Sequence, residues 1–161
     1  HEENYVRANL ELSELGAMGD LVLEGWCRGV VGDVTKAVEN TGVKHLNVSI
    51  STSDQMIEGK FRGKIDHQGV IDMMVDAVHA ALDGGAETVG ANAEDSSRSD
   101  MDFLVKYARA AKDAGAFLRL ADGSVIEIVE REGIGLAHGA DVKAGDLVVL
   151  LVVIAEYFIL R

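Results

Sequence analysis

The stretch from Asn47 to Asp122 constrains the fold most strongly, because it twice places polar residues at the end of an apolar strand and just before a helix. Residues 47–54 read NVSISTSD and residues 92–99 read NAEDSSRS, and each run precedes a segment with helical periodicity. This order is typical of consecutive βα units, whose chemistry lies at the carboxyl ends of parallel strands. The sequence therefore predicts an α/β fold with a parallel sheet.

Residues 45–51 alternate with a period of two, which indicates a strand with two different faces. In a barrel strand, one face meets the surrounding helices and the other fills the interior. We therefore expect the polar positions to point into the interior. The apolar positions are Leu46, Val48 and Ile50, and the polar positions are Asn47, Ser49 and Ser51.

The remaining periodicities predict about four βα units with right-handed crossovers. Asp33 is expected to N-cap the second helix, and Ser99 with Asp102 forms a capping-box pattern. The predicted helices span residues 2–18, 33–42, 65–82, 99–114 and 125–131, and the predicted strands span residues 21–27, 45–51, 87–93, 117–121 and 147–154.

The length of 161 residues indicates a single domain, residues 1–161, that is shorter than the roughly 250 residues of a complete (β/α)₈ barrel. We therefore expect a partial (β/α) TIM-type barrel with parallel strands. Such a sheet would leave two unpaired edges and an exposed apolar interior. Self-association would cover these surfaces, so the chain is expected to be a homo-oligomer.

The formal charge of −12 argues against a nucleic-acid or anionic-membrane partner, since both require a basic face. The single cysteine, Cys27, cannot form an internal disulfide, which favours a reducing, cytoplasmic compartment. The polar, acidic start of the chain does not resemble a signal peptide. The nine apolar residues 147–155 are too few for a membrane span, which needs about 20.

Two acidic residues, Glu94 and Asp95, directly follow a predicted strand. A carboxylate there can act as a general acid or base, as a metal ligand or as an acceptor for substrate hydroxyls. Alternatively, Asp95 or Ser96 only caps the next helix. Arg98 could bind a carboxylate in a bidentate fashion through two of its N–H groups, or it could pair with a neighbouring acid for structural reasons.

Four further positions are candidates by their place at strand ends or on the polar strand face. Ser49 and Ser51 could contact a substrate or could simply pack inside a barrel. Arg28 follows a predicted strand, where it could bind substrate or be merely exposed. Asp122 ends another predicted strand, where it could be a site residue or a turn-former before Gly123.

No set of ligands for a metal ion is evident from spacing. A metal site needs three or four converging ligands, and the five histidines do not cluster with one another. The phosphate-binding and nucleophile motifs of common enzyme classes are also missing from the sequence.

Three pieces of the chain nevertheless resemble one enzyme family. They read GWCRGVVGDVTKAVENTGVKHLNVSISTSD, AEDSSRSDMDFLVKYARAAKDAGA and FLRLADGSV. They look like the middle of the homocitrate synthase, 2-isopropylmalate synthase and citramalate synthase family, which are metal-dependent TIM-barrel acyltransferases. The resemblance covers residues 21–125, and residues 126–161 form a divergent tail.

The resemblance implies an acyltransferase that condenses acetyl-CoA with a 2-oxo acid to form an alkyl-hydroxy diacid. It places Glu94 near the reacting carbonyl as the catalytic residue, and it places Arg28, Ser49 and Ser51 in the 2-oxo acid pocket. Asp122 stands where the family has the aspartate of an Asp-Thr-Val-Gly turn. Here that turn reads Asp122-Gly-Ser-Val, so the threonine is displaced or replaced.

The family also implies a divalent metal (Mg, Mn or Zn) that would activate the carbonyl as a Lewis acid. Its Arg-Asp-Gly-Glu strand and its His-x-His pair have no counterpart in this sequence, so the metal ligands are unknown. A related lyase on the same barrel would need the same metal. The missing ligands and the absence of proline favour an alternative, a non-catalytic half-barrel that is truncated, recombined or designed and that self-associates.

Overall fold

A computed structural model describes residues 2–116 and the backbone of residues 118–119 and 125–126. The predicted strand at residues 147–154 therefore lies outside the described residues, as does nearly all of the divergent tail. The helices are α1 (Glu2–Glu14), α2 (Val31–Thr41), α3 (Asp54–Phe61), α4 (His67–Asp83) and α5 (Met101–Asp113), with a 3₁₀ turn at Ser96–Arg98. The strands are β1 (Glu24–Arg28), β2 (His45–Ser51), β3 (Thr88–Glu94), β4 (Leu118–Arg119) and β5 (Val125–Ile126).

Strands β1, β2 and β3 form one open, parallel, three-stranded sheet in that order. Each parallel pair is joined through a helical connection, which is the arrangement that the polar strand ends predict. The prediction of an α/β fold with parallel strands is confirmed. The first strand begins later than expected, at Glu24, so residues 21–23 precede the sheet.

The core lies between the sheet and α4. Leu46, Val48 and Ile50 of β2 all belong to the apolar core, as their alternation predicts, and Asn47 and Ser51 on the other face are buried as well. Alanines on the inner face of α4 leave room for the helix to lie close to the sheet, because they add little side-chain bulk. The buried positions of α4 are Val70, Ile71, Met74, Ala77, Val78 and Ala81.

Two predicted helix caps are wrong, because tertiary contacts engage the side chains concerned. Asp100, rather than Ser99, caps α5 by accepting a hydrogen bond from the Phe103 amide at 2.8 Å. The Ser99 hydroxyl is instead hydrogen-bonded to Thr52 and to the Asp95 carbonyl. At α2 the cap position is Val30, and the carboxylate of Asp33 binds a side chain of β1.

The chain after α5 also departs from the prediction. Val125–Ile126 pairs antiparallel with Leu118–Arg119, where the sequence predicts a short helix beginning at residue 125. Both residues of β5 are β-branched, and this chemistry favours extended backbone. Of the strand predicted at residues 117–121, the described residues Leu118–Arg119 pair with β5 and not with the parallel three-stranded sheet.

Truncation of Met74 tests the placement of the core. Met74 is fully buried between α4 and the sheet, so Met74→Ala should lower the free energy of unfolding by about 2–5 kcal/mol in urea denaturation. His79→Ala removes an exposed side chain from the same helix and serves as the control. A loss for Met74→Ala no larger than that of the control would contradict this packing.

Candidate active site

The face of the sheet opposite α4 carries the polar residues of all three strands. Residues aligned in register on parallel strands project to the same face. Arg28, Ser49 and Asn92 form one such row across the sheet, and Ser51 with Glu94 forms the next row toward the carboxyl edge. The Asn92 amide donates to the Ser49 hydroxyl at 3.1 Å. Four of the predicted site residues thus share one face of one sheet.

A lower row on the same face contains Trp26, Asn47 and Gly90. Asn47 is 6% exposed, and a side chain at position 90 would meet its amide at 3.4 Å. Its Oδ1 atom has no hydrogen-bond partner among the residues that the structure describes. One buried polar group, the Asn47 amide, therefore lies on this face in the row before Arg28 and Ser49.

Glu94 ends β3, and its carboxylate is held at one oxygen. Oε2 accepts hydrogen bonds from the Ser51 hydroxyl at 2.8 Å and from Lys60 Nζ at 2.6 Å. The hydrogen bond from Lys60 lowers the pKa of Glu94 against the opposing effect of partial burial, and Ser51 adds to the lowering. Glu94 is therefore an ionised acceptor at neutral pH, with a side chain 40% exposed.

Lys60 is a site residue that the sequence patterns did not reveal. It lies near the end of α3, the short helix that directly follows the polar end of β2. The only available signal was a lysine in the helix after a polar strand end, and such lysines are common on solvated surfaces.

Asp95 follows Glu94 but is engaged differently. Its backbone is left-handed, with φ at 65°, a conformation that aspartate adopts more readily than most residues. Its carboxylate accepts hydrogen bonds from Ser53 and from Arg98, whose Nε and Nη2 atoms lie 2.8 and 2.5 Å away. The hydrogen bonds from Arg98 lower the pKa of Asp95 most. Of the two alternatives for Arg98, the structural pair with a neighbouring acid is the one observed.

The loop after β2 is hydrogen-bonded to the end of β3. The Thr52 amide and hydroxyl both donate to the Glu94 carbonyl, at 2.9 and 3.1 Å. Ser51, Thr52 and Ser53 are at most 1% exposed. Consecutive residues of one strand end therefore position the two acids of the next strand, with Ser51 contacting Glu94 and Ser53 contacting Asp95.

Arg28 stands apart from this cluster. Its Nε atom donates to Asp33 at 2.6 Å, and its side chain is 80% exposed. Both residues border a cavity of about 450 Å³ beside α1. The register places Arg28 next to Ser49, but no hydrogen bond in the described residues joins Arg28 to Ser49, Ser51 or Glu94. Asp122 lies outside the described residues.

The described residues do not fit a metal centre. Within residues 2–116, no three histidine, cysteine, aspartate or glutamate side chains converge. Lys60 and Arg98 already engage the carboxylates of Glu94 and Asp95. In the same part of the chain, no helix is long and apolar enough to cross a membrane.

The open parallel sheet with polar residues at its carboxyl edge is that of a TIM-barrel segment. The chain belongs to the HMGL-like family, whose model matches residues 11–130 and whose domain is a TIM barrel. This finding confirms the predicted family resemblance and extends it beyond residues 21–125.

Three relatives illustrate the family. The chain is 51% identical over 117 residues to the citrate (Re)-synthase of Dehalococcoides mccartyi, covering 72% of this chain and 28% of that protein. It is 44% identical over 106 residues to 2-isopropylmalate synthase 2 of Caldanaerobacter subterraneus, covering 66% and 26%. It is 32% identical over 114 residues to homocitrate synthase 1 of Nostoc sp., covering 71% and 29%. The matched segment thus spans less than a third of these relatives.

Replacement of Asp95 tests the electrostatics of the strand end. Because its pKa is lowered in the fold, the carboxylate contributes stability above its unfolded pKa of about 4, and this stability is lost as the pH falls through the folded value. Asp95→Asn should therefore lower the free energy of unfolding by about 1–3 kcal/mol at pH 7, measured by urea denaturation. The difference from the original protein should shrink below about pH 4.

The matched control for Asp95 is Asp113→Asn, which changes an exposed carboxylate at the end of α5. It should leave the free energy of unfolding nearly unchanged at both pH values. Equal losses for the two variants at pH 7 would show that the Ser53 and Arg98 hydrogen bonds to Asp95 do not stabilise the fold.

Proposed function

We propose that this protein is an acyltransferase that condenses acetyl-CoA with a 2-oxo acid. The observation that carries the proposal is the ionised Glu94 carboxylate at the carboxyl edge of the parallel sheet, on the same face as Ser49 and Ser51. Active sites of barrels built from βα units lie at this edge. The protein would belong to the synthase type named in three of its relatives.

The names of these relatives point to a common reaction. Citrate, 2-isopropylmalate and homocitrate are each the product of adding an acetyl unit to the carbonyl carbon of a 2-oxo acid. The identity of 51% with a citrate (Re)-synthase makes oxaloacetate the first acceptor to test. The alternative, a non-catalytic half-barrel, has less support, because the matches are to synthases.

The side chains receive separate roles in this proposal. Glu94 is the catalytic residue near the reacting carbonyl. The hydroxyls of Ser49 and Ser51 line the 2-oxo acid pocket, and the guanidinium of Arg28 binds a substrate carboxylate. Asp122 completes the substrate-binding set. Substrate would have to compete with Asp33 for the Arg28 guanidinium, and the exposed position of that guanidinium permits this exchange.

A divalent metal (Mg, Mn or Zn) accompanies this chemistry in the family that the sequence resembles. We assign no step to it, because the described residues do not form a site for it. Turnover should therefore be assayed with each of the three metals added and with a chelator present.

Neutralising Glu94 tests its catalytic role. Glu94→Gln should lower the rate of CoA release from acetyl-CoA and oxaloacetate by about 10²-fold or more, because a neutral amide has neither the charge nor the basicity of the carboxylate. Free CoA thiol provides the readout. Glu87→Gln alters an exposed glutamate just before the opposite end of β3 and should leave the rate unchanged. Equal rates for Glu94→Gln and the original protein would remove Glu94 from the mechanism.

We also propose that the chain forms a homo-oligomer through the edge at β1. Among the described strands, β1 pairs with β2 and lies at the edge of the parallel sheet. Trp26 on β1 is 65% exposed, and Leu21 and Val22, which precede the strand, are 63% and 60% exposed. Large exposed apolar side chains near an open sheet edge favour association.

The mass in solution tests this association. Light scattering at micromolar concentration should give a multiple of the 17.2 kDa chain. Trp26→Ser should shift the distribution toward monomer by removing apolar area at the edge. Tyr5→Ser alters an exposed aromatic residue on α1 and should not. A monomer in the original protein would contradict the proposal.

A further inference from the structure

Lys60 is the one basic side chain that contacts the Glu94 carboxylate in the described residues. Its Nζ atom lies 2.6 Å from Oε2, and this ion pair joins α3 to the end of β3. Ser51, from the end of β2, donates to the same oxygen. Side chains from α3 and from β2 thus both bind one carboxylate oxygen of β3.

The second oxygen of this carboxylate is open. Both donors bind Oε2, and Oε1 has no hydrogen-bond partner in the described part of the chain. We propose that Lys60 is a positioning residue: it anchors Oε2 together with Ser51 and thereby leaves Oε1 of an ionised Glu94 free to accept a hydrogen bond from the substrate. This inference rests on the function proposed for Glu94.

The arrangement differs from an ordinary surface ion pair. Exposed pairs contribute little because both side chains remain mobile and screened by water. Here Ser51 is 1% exposed and its hydroxyl binds Oε2 from the side of the sheet, so the carboxylate is held from two directions. Loss of Lys60 would leave a single hydrogen bond, about which the carboxylate could rotate.

The position of Lys60 depends on the docking of α3. Ser53 caps the start of the helix, and its hydroxyl accepts a hydrogen bond from the Met56 amide at 3.3 Å. Ile57, one turn before Lys60, is buried in the core cluster. A short helix that is capped at its start and anchored by an apolar side chain therefore presents the lysine to β3.

The local charges give Lys60 a second effect on Glu94. The neighbouring Asp95 carboxylate and partial burial both oppose ionisation of Glu94, whereas Lys60 and Ser51 favour it. Lys60 is the positively charged member of this set. Removing it should therefore raise the pKa of Glu94, so that the carboxylate becomes protonated at a higher pH than in the original protein.

Carboxyl NMR titration of the full chain tests the contact without requiring activity. In Lys60→Met, the Glu94 side-chain carboxyl resonance should titrate at higher pH than in the original protein. In Lys60→Arg, which keeps the charge, it should titrate near the original value. Lys64→Met removes a lysine just beyond α3 that makes no side-chain hydrogen bond in the described residues, and it should leave the Glu94 titration unchanged.

Steady-state kinetics on the same variants then test the positioning role. Lys60→Met should lower kcat for CoA release about tenfold or more and move the acid limb of the pH–rate profile to higher pH, with Lys60→Arg retaining most of the rate. A merely structural loss would lower the rate without moving the acid limb. An unshifted Glu94 titration in Lys60→Met would overturn the inference, as would unchanged kinetics in an active protein.

The two proposals fail in different ways. A shifted titration in Lys60→Met, with no turnover in the original protein under any metal or 2-oxo acid, would support the contact and reject the proposed function. Turnover that is insensitive to Glu94→Gln would also reject the assigned role of Glu94. Turnover that depends on Glu94 but not on Lys60 would reject the positioning role alone.

Discussion

The parallel pairing of β2 with β3 is the constraint on which the site depends. This pairing aligns Ser51 with Glu94 and brings Thr52 within hydrogen-bond distance of the Glu94 carbonyl. The strands can hold this register because the apolar face of β2 is buried against α4, and a slip of one residue would expose that face. Burial on one side of the sheet thereby fixes the polar geometry on the other side.

The two acidic residues at the end of β3 form ion pairs with different basic residues. Glu94 is paired with Lys60 from α3, whereas Asp95 is paired with Arg98 from the 3₁₀ turn that follows it. Asp95 receives hydrogen bonds on both carboxylate oxygens and supports the left-handed turn at the end of β3. Glu94 is held at one oxygen only and keeps the other available. Asp95 therefore has a structural role, whereas the adjacent Glu94 has the proposed catalytic role.

Much of this fold could be predicted from the sequence, because the residues that become buried leave a regular pattern of apolar positions along the chain. The alternation in residues 45–51 predicted the two faces of β2, and the polar strand ends predicted where the candidate residues would gather. Helix caps were less predictable. Ser99 and Asp33 both fit local capping rules, but each side chain found a partner outside its own helix. A side-chain oxygen near a helix start has several possible partners, and the sequence alone does not rank them.

The sequence by itself determined the class of fold, the family and the position of Glu94 at a strand end, because hydrophobic periodicity and motif residues are local properties of the chain. Only the tertiary structure decided which groups contact Glu94. Lys60 and Glu94 are 34 residues apart, and they meet because α3 directly follows β2, which pairs beside β3. Long-range contacts of this kind follow from how packed elements are oriented in three dimensions, which no local pattern in the chain records.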